Sequence, residues 1–194
     1  ALVTHIGAAS YGSDSFICAD IALKRAKKLN RQVHIFSSEE KELPEDVLEN
    51  ISILSDINYA IRNDKIYSFF QPIKNLSNGQ IEKYECLIRM EDKSGKIVYP
   101  DSFVELSKKT NLYQKLTFLM IEKSISAFHE TGYDFAINMT IEDILNSETV
   151  SYLLDEARSK DTANRMIVEI VETEELKDLD RVISVLNQIK AEGI

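Results

Sequence analysis

A chain of 194 residues with 44% hydrophobic and 28% charged side chains can bury a sizeable core and reads as one or two domains. Its formal charge of -9 and pI near 4.9 argue against electrostatic binding to a nucleic-acid polymer or an anionic membrane surface, so a small anionic ligand needs a local basic pocket or a metal. No apolar run approaches a membrane span, and Ala1 opens no signal peptide; any membrane attachment is left to absent segments of a longer parent.

Leu2 to Gly7 has strand composition, and Gly7 to Gly12 reads as a turn. Ser13 or Asp14 can cap a following helix, whose stripe of Phe16, Ile17, Ala19, Ile21, Ala22, Leu23 and Ala26 ends at Lys27-Lys28-Leu29-Asn30. Val33 to Phe36 reads as a returning strand. The resulting β-α-β piece is too small to bury its own core and calls for a larger domain upstream. Residues 39–44, rich in Glu and Lys and ended by Pro44, read as a linker, and the domain boundary is set there.

From Glu45 to Asn63, Val47, Leu48, Ile51, Leu54, Ile57 and Ile61 recur at helical spacing. Ile66 to Ile73 and Ile81 to Met90 then read as a strand hairpin around Asn75 to Gln80, which contains Asn78-Gly79. Alternation along the second strand puts Glu85, Leu87 and Arg89 on one face and Tyr84, Cys86 and Ile88 on the other. A carboxylate and a guanidinium in an apolar strand need partners: either a Glu/Arg ion pair of structural use, or a metal ion or ligand. Cys18 and Cys86 lie far apart with no zinc spacing and read as reduced thiols in a cytoplasm.

Helices are predicted over Ser102 to Lys109, Leu112 to Glu130, Ser147 to Ser159 and Leu179 to Glu192, with strands over Tyr133 to Met139 and Met166 to Val171. Strands alternating with helices imply parallel βα units, of the doubly wound or β/α-barrel kind. In a barrel the chemistry gathers at the carboxyl ends of the strands, where Glu85, Asn138 and Glu169 are polar in apolar surroundings. Two carboxylates and an amide oxygen are hard ligands that suit Mg²⁺, Mn²⁺ or Ca²⁺ rather than zinc. Taken singly, Asn138 reads as an amide satisfying local backbone, and Glu169 and Glu172 as a charged strand end. Their convergence is what points to a site.

Phe70-Gln71-Pro72-Ile73, Tyr84-Glu85-Cys86-Leu87-Ile88-Arg89, Tyr99-Pro100 with Phe103, Ile137-Asn138-Met139-Thr140 and Val168-Glu169-Ile170-Val171-Glu172 resemble, in order and spacing, the amino-terminal part of EAL domains, the cyclic-di-GMP phosphodiesterases. Ile6-Gly7-Ala8-Ala9, Ala19 to Leu23 and Ala26-Lys27-Lys28 resemble the tail of a GGDEF domain. The resemblance implies an α/β fold: residues 1–38 as a β-α-β remnant of a GGDEF domain, and residues 45–194 as a partial β/α (TIM-like) barrel. It implies a bacterial signalling protein in which Glu85, Asn138 and Glu169 bind catalytic Mg²⁺ or Mn²⁺. Gln71, Leu87 and Arg89 would contact the dinucleotide, with Arg89 on a phosphate, and Glu172 would brace the loop near the metals. Metal-activated water would open cyclic-di-GMP to linear pGpG.

Cys86 stands where the family usually has alanine and Val171 where it has threonine; the first points away from Glu85 and implies a packing adjustment. The chain stops at Ile194, before the family's Asp-Asp-Phe-Gly run, catalytic lysine and later acid. The implied expectations are an inactive fragment and self-association, as a homodimer or otherwise, that covers an open edge. A catalytically silent receptor for cyclic-di-GMP or for a protein partner is the alternative, and a plain α/β scaffold a third.

Overall fold

The structure is a computed structural model that describes residues 6–8, 19, 22, 23, 26, 31–35, 45–171 and 178–194. The chain divides into two compact units, Ala1–Ser55 and Asp56–Ile194. The proposed linker at 39–44, Lys27, Cys18 and Glu172 lie outside the described residues.

In the first unit, β1 (Ile6–Ala8) and β2 (Val33–Ile35) pair in parallel, with Ile6 opposite Val33. Between them Ala19, Ala22, Leu23 and Ala26 are helical, and Ala22 and Ala26 are fully buried. A parallel pair needs a crossover of this kind, because two strands running the same way cannot be joined by a tight turn.

Helix α1 (Glu45–Arg62) ends in the second unit, where Ile57 and Ala60 have no exposed surface. The hairpin follows, with β3 (Ile66–Lys74) antiparallel to β4 (Ile81–Glu91). Its turn is built by asparagines: Asn75 Oδ1 accepts the Ser77 amide at 2.7 Å, and Asn78 Oδ1 the Gln80 amide at 2.9 Å. Gly79 has φ +74°, a conformation any side chain would strain. A two-residue strand β5 (Ile97–Val98) adds to the far end of β4.

The segment expected as one helix over Ser102 to Lys109 is instead a 3-10 turn at Pro100–Ser102 and a short α2 (Val104–Ser107). Phe103, fully buried, sits at the break, and packing it outweighs the continuity of a short helix. Helix α3 (Leu112–Phe128) then returns the chain to β6 (Asp134–Thr140), which lies parallel to β4. Helices α4 (Ile141–Leu145) and α5 (Ser147–Ser159) lead to β7 (Met166–Val171), parallel to β6, and α6 (Leu179–Ala191) follows. The sheet order is β3-β4-β6-β7 with β5 beside β4.

One face of this sheet is covered by helices. Cys86, Phe135, Ile137 and Met139 pack against Met120, Ile121, Ile125 and Phe128 of α3 and Val150, Leu153, Leu154 and Ala157 of α5. Phe128 stacks on Phe135 at 4.9 Å and meets Phe70 edge-on at 5.0 Å. Burying a side chain such as Phe135 contributes about 2–3 kcal/mol. Arg165 closes the carboxyl end of α3, donating to the carbonyls of Phe128 (3.0 Å), Tyr133 (3.1 Å) and His129 (3.3 Å), where the helix leaves its last carbonyls without partners. Because that face is filled, the alternate residues of β4 and β6 are directed to the other.

Candidate functional site

The face opposite the helix-packed core carries the polar residues. Cross-strand register sets Gln71 opposite Glu85, Phe69 opposite Leu87 and Tyr67 opposite Arg89 on the hairpin, Glu85 opposite Ala136, and Asn138 opposite Glu169. Register partners share a face, so Gln71, Glu85, Asn138 and Glu169 project from one side of four adjacent strands. Cys86 faces the other way, is 2% exposed, and has its thiol pushed above the usual range by burial.

Asn138 Nδ2 donates to Glu85 Oε1 at 2.7 Å. Glu169 Oε1 accepts from Lys83 Nζ at 3.1 Å. Glu85 and Arg89 form no ion pair with each other. The Arg89 guanidinium lies 4.5 Å over the Tyr99 ring and 5.7 Å from the Phe69 ring, and its Nη1 donates to the Ile88 carbonyl at 2.7 Å. Its Nε is buried without a hydrogen-bond partner. The structural ion pair read as one option from the strand pattern is therefore not formed, and each charge has a separate set of neighbours. Gln71 is exposed on β3, beside Glu85 in register.

The donor set fits a hard divalent cation by type: the Glu85 and Glu169 carboxylates and the Asn138 amide supply oxygens, and no thiolate or imidazole lies among them. Turning the Asn138 amide by half a rotation gives up its hydrogen bond to Glu85 and directs Oδ1 instead of Nδ2 toward Glu85 Oε1, so that a cation between them would meet two oxygens. Among the described residues no three His, Cys, Asp or Glu side chains converge on one point. The set is two acids and an amide, and Glu172 cannot be placed beside it.

A cavity of about 290 Å³ opens at the carboxyl ends of β4 and β6, lined among others by Leu87, Pro100, Lys108, Tyr113, Asn138 and Thr140. Its wall is fixed by a buried carboxylate. Asp143, 4% exposed, accepts from Tyr113 Oη (2.7 Å), Thr117 Oγ1 (3.2 Å), the Thr140 amide (2.9 Å) and Thr140 Oγ1 (2.8 Å). Thr140 and Asp143 form a reciprocal capping box that starts α4 at the end of β6, two residues beyond Asn138. Burial, and then the Asp143 charge, hold the Tyr113 phenol well above its ordinary range.

Sequence reasoning passed over Lys83, Phe69, Tyr99 as an Arg89 partner, and Asp143. Lys83 and Phe69 were findable, since alternation puts each on the face of Glu85. Asp143 carried a weaker signal, a threonine three residues before an acid. Nothing local told that Tyr113 would reach it from 30 residues away.

Comparison with known proteins gives a consistent result. The EAL domain family model matches residues 54–194. The chain is 22% identical over 202 residues to the bifunctional diguanylate cyclase/cyclic di-GMP phosphodiesterase MucR of Pseudomonas aeruginosa, covering 97% of this chain and 29% of that protein. It is 35% identical over 103 residues to the probable cyclic di-GMP phosphodiesterase PdeB of Escherichia coli, covering 49% of this chain and 19% of that protein. The chain thus spans less than a third of the length of these relatives. Among solved structures, PaMucR phosphodiesterase in complex with c-di-GMP superposes with a TM-score of 0.67 at 19% identity, over 73% of this chain and 60% of that one.

Proposed function

The chain belongs to the EAL domain family, and from that membership we propose that it carries part of the site at which a whole GGDEF-EAL signalling protein hydrolyses cyclic-di-GMP to linear pGpG. The observation that supports this most is the cross-strand set itself: Asn138 hydrogen-bonded to Glu85 at 2.7 Å and register-paired with Glu169, three oxygen-bearing side chains on one face of the sheet. EAL relatives described as phosphodiesterases and the c-di-GMP complex of PaMucR support the substrate class.

In this reading Glu85, Asn138 and Glu169 hold Mg²⁺ or Mn²⁺, which supplies charge to polarise the phosphodiester and lowers the pKa of an attacking water. The chain's own residues do the rest of the positioning. Arg89 is held over Tyr99 so that its guanidinium is presented as a fixed cation for a phosphate. Gln71 stands beside Glu85 in register and offers an amide to the nucleotide, while Leu87 supplies the apolar floor between Glu85 and Arg89. Glu172, as the acid bracing the nearby loop, belongs to the same proposal. So do the barrel-like completion of the sheet, a GGDEF remnant in residues 1–38, and association of two copies. Among the described residues no helix is long and apolar enough to cross a membrane.

The test is hydrolysis of cyclic-di-GMP by the full-length protein with Mg²⁺, beside Glu85→Ala. Loss of at least about a hundredfold in turnover is expected on removing a metal ligand. Unchanged turnover in Glu85→Ala would remove that residue from the site.

A further inference from the structure

Each carboxylate of the proposed cation site is occupied by a donor from the chain itself. Glu85 Oε1 takes the Asn138 amide, and Glu169 Oε1 takes the Lys83 ammonium at 3.1 Å. The two engagements differ in kind. Asn138 can meet a cation by rotating its amide, which gives up the hydrogen bond to Glu85 and leaves an oxygen of each residue for a shared metal. Lys83 cannot, because an ammonium has only donors and carries the same sign of charge as the metal. It contacts one oxygen, Oε1, of the Glu169 carboxylate, whose charge a cation would need.

Lys83 lies on β4 two residues before Glu85, on the same strand face, and crosses β6 to reach Glu169 on β7. Ala136 stands between them on β6, 1% exposed, and its single methyl leaves room for a lysine stem to lie across that strand. The side chains of Lys83 and Glu169 are 30% and 36% exposed. Water therefore screens the pair, which makes it weak enough to be displaced by a divalent ion.

We propose that Lys83 is a tethered counter-cation of the metal site: it neutralises Glu169 when no metal is bound, competes directly with the divalent cation for that carboxylate, and so raises the metal concentration at which the site fills. This rests on the assignment of Glu85, Asn138 and Glu169 as ligands. A purely structural Lys83–Glu169 pair makes the opposite prediction, since removing Lys83 would then leave Glu169 less well placed and weaken metal binding.

The experiment is a Mn²⁺ titration of the full chain, read as paramagnetic broadening of the Asn138 side-chain amide and requiring no turnover. Lys83→Met is expected to tighten apparent Mn²⁺ affinity by roughly two- to fivefold, the worth of one partly exposed ion pair. Lys83→Arg, which keeps the charge, is expected to stay within about twofold of the parent. Broadening that occurs in the parent but is unchanged or weaker in Lys83→Met overturns the competition while leaving the ligand assignment standing. Absence of broadening in every variant overturns both.

Discussion

Tyr113 Oη donates to Asp143 Oδ2 at 2.7 Å, joining the first turn of α3 to the cap of α4. The bond matters because Asp143 is the common acceptor for four donors at the end of β6, the strand that carries Asn138. Removing the acceptor leaves the Thr140 amide and the hydroxyls of Tyr113, Thr117 and Thr140 without it together. Asp143→Ala is expected to lower unfolding free energy by about 2–4 kcal/mol, combining a lost cap with unsatisfied buried donors. Tyr113→Phe removes one bond and is expected to cost about 1 kcal/mol. Urea midpoints measure both, and a loss below about 0.5 kcal/mol for Asp143→Ala would contradict the assigned role.

The same pair sets an alkaline limit. Tyr113 is held above its ordinary value of 10.0, first by burial and then by the Asp143 charge. Above about pH 10 the unfolded chain releases the phenolic proton while the folded chain keeps it, so the unfolded state binds fewer protons and stability falls as pH rises. Below that pH the contribution is fully present. Tyr67 and Tyr152 are raised as well and steepen the same limb, the first chiefly by its hydrogen bond to Glu91 and the second by burial. Tyr113→Phe is expected to flatten the decline between about pH 10 and 12, measured as urea midpoint against pH. Equal slopes in parent and variant would exclude Tyr113 as a contributor.

How much of this was legible in the sequence depended on the length of each element. The hairpin, with Asn78-Gly79 at its turn, and the long helices α3 and α5 were read within a few residues because their periodicity extends over several turns. Helix α4 has five residues and β5 two, too few for any period to show. The face of Glu85 within its strand followed from alternation, whereas Asn138 and Glu169 were singled out only as polar residues near strand ends, and the register of the sheet is what puts the three on one side. Their partners did not follow from alternation: Asn138 is 53 residues from Glu85, and Glu169 is 86 from Lys83. Strand order decides such pairings, and an isolated strand pattern does not contain it. Of the two readings left open for Glu85 and Arg89, an ion pair or separate partners, the strand pattern could not choose, and the ring that meets Arg89 is that of Tyr99, ten residues beyond it.

Arg89 provides the remaining prediction. Its guanidinium is held by the Tyr99 face at 4.5 Å and by the Ile88 carbonyl at 2.7 Å, while Nε is buried with no acceptor. A buried donor without a partner costs about 1–3 kcal/mol in itself, and what Arg89 offers an anion is the charge of its guanidinium. If the anion is a phosphate of cyclic-di-GMP, Arg89→Ala removes both the charge and the donors. It is expected to weaken binding by about tenfold to a hundredfold, the value of a charge-assisted hydrogen bond. Tyr99 acts through Arg89, and losing its cation–π contact with Tyr99→Leu is expected to weaken binding only about two- to fivefold. Calorimetric titration of the full-length protein with cyclic-di-GMP under chelating conditions separates these effects from metal binding and from turnover. The double variant Arg89→Ala/Tyr99→Leu should bind no more weakly than Arg89→Ala alone, because with the guanidinium gone the ring has nothing left to position. Additive losses would instead mean that Tyr99 meets the ligand directly, and its exposure of 60% would then be that of a stacking surface rather than of a support for Arg89.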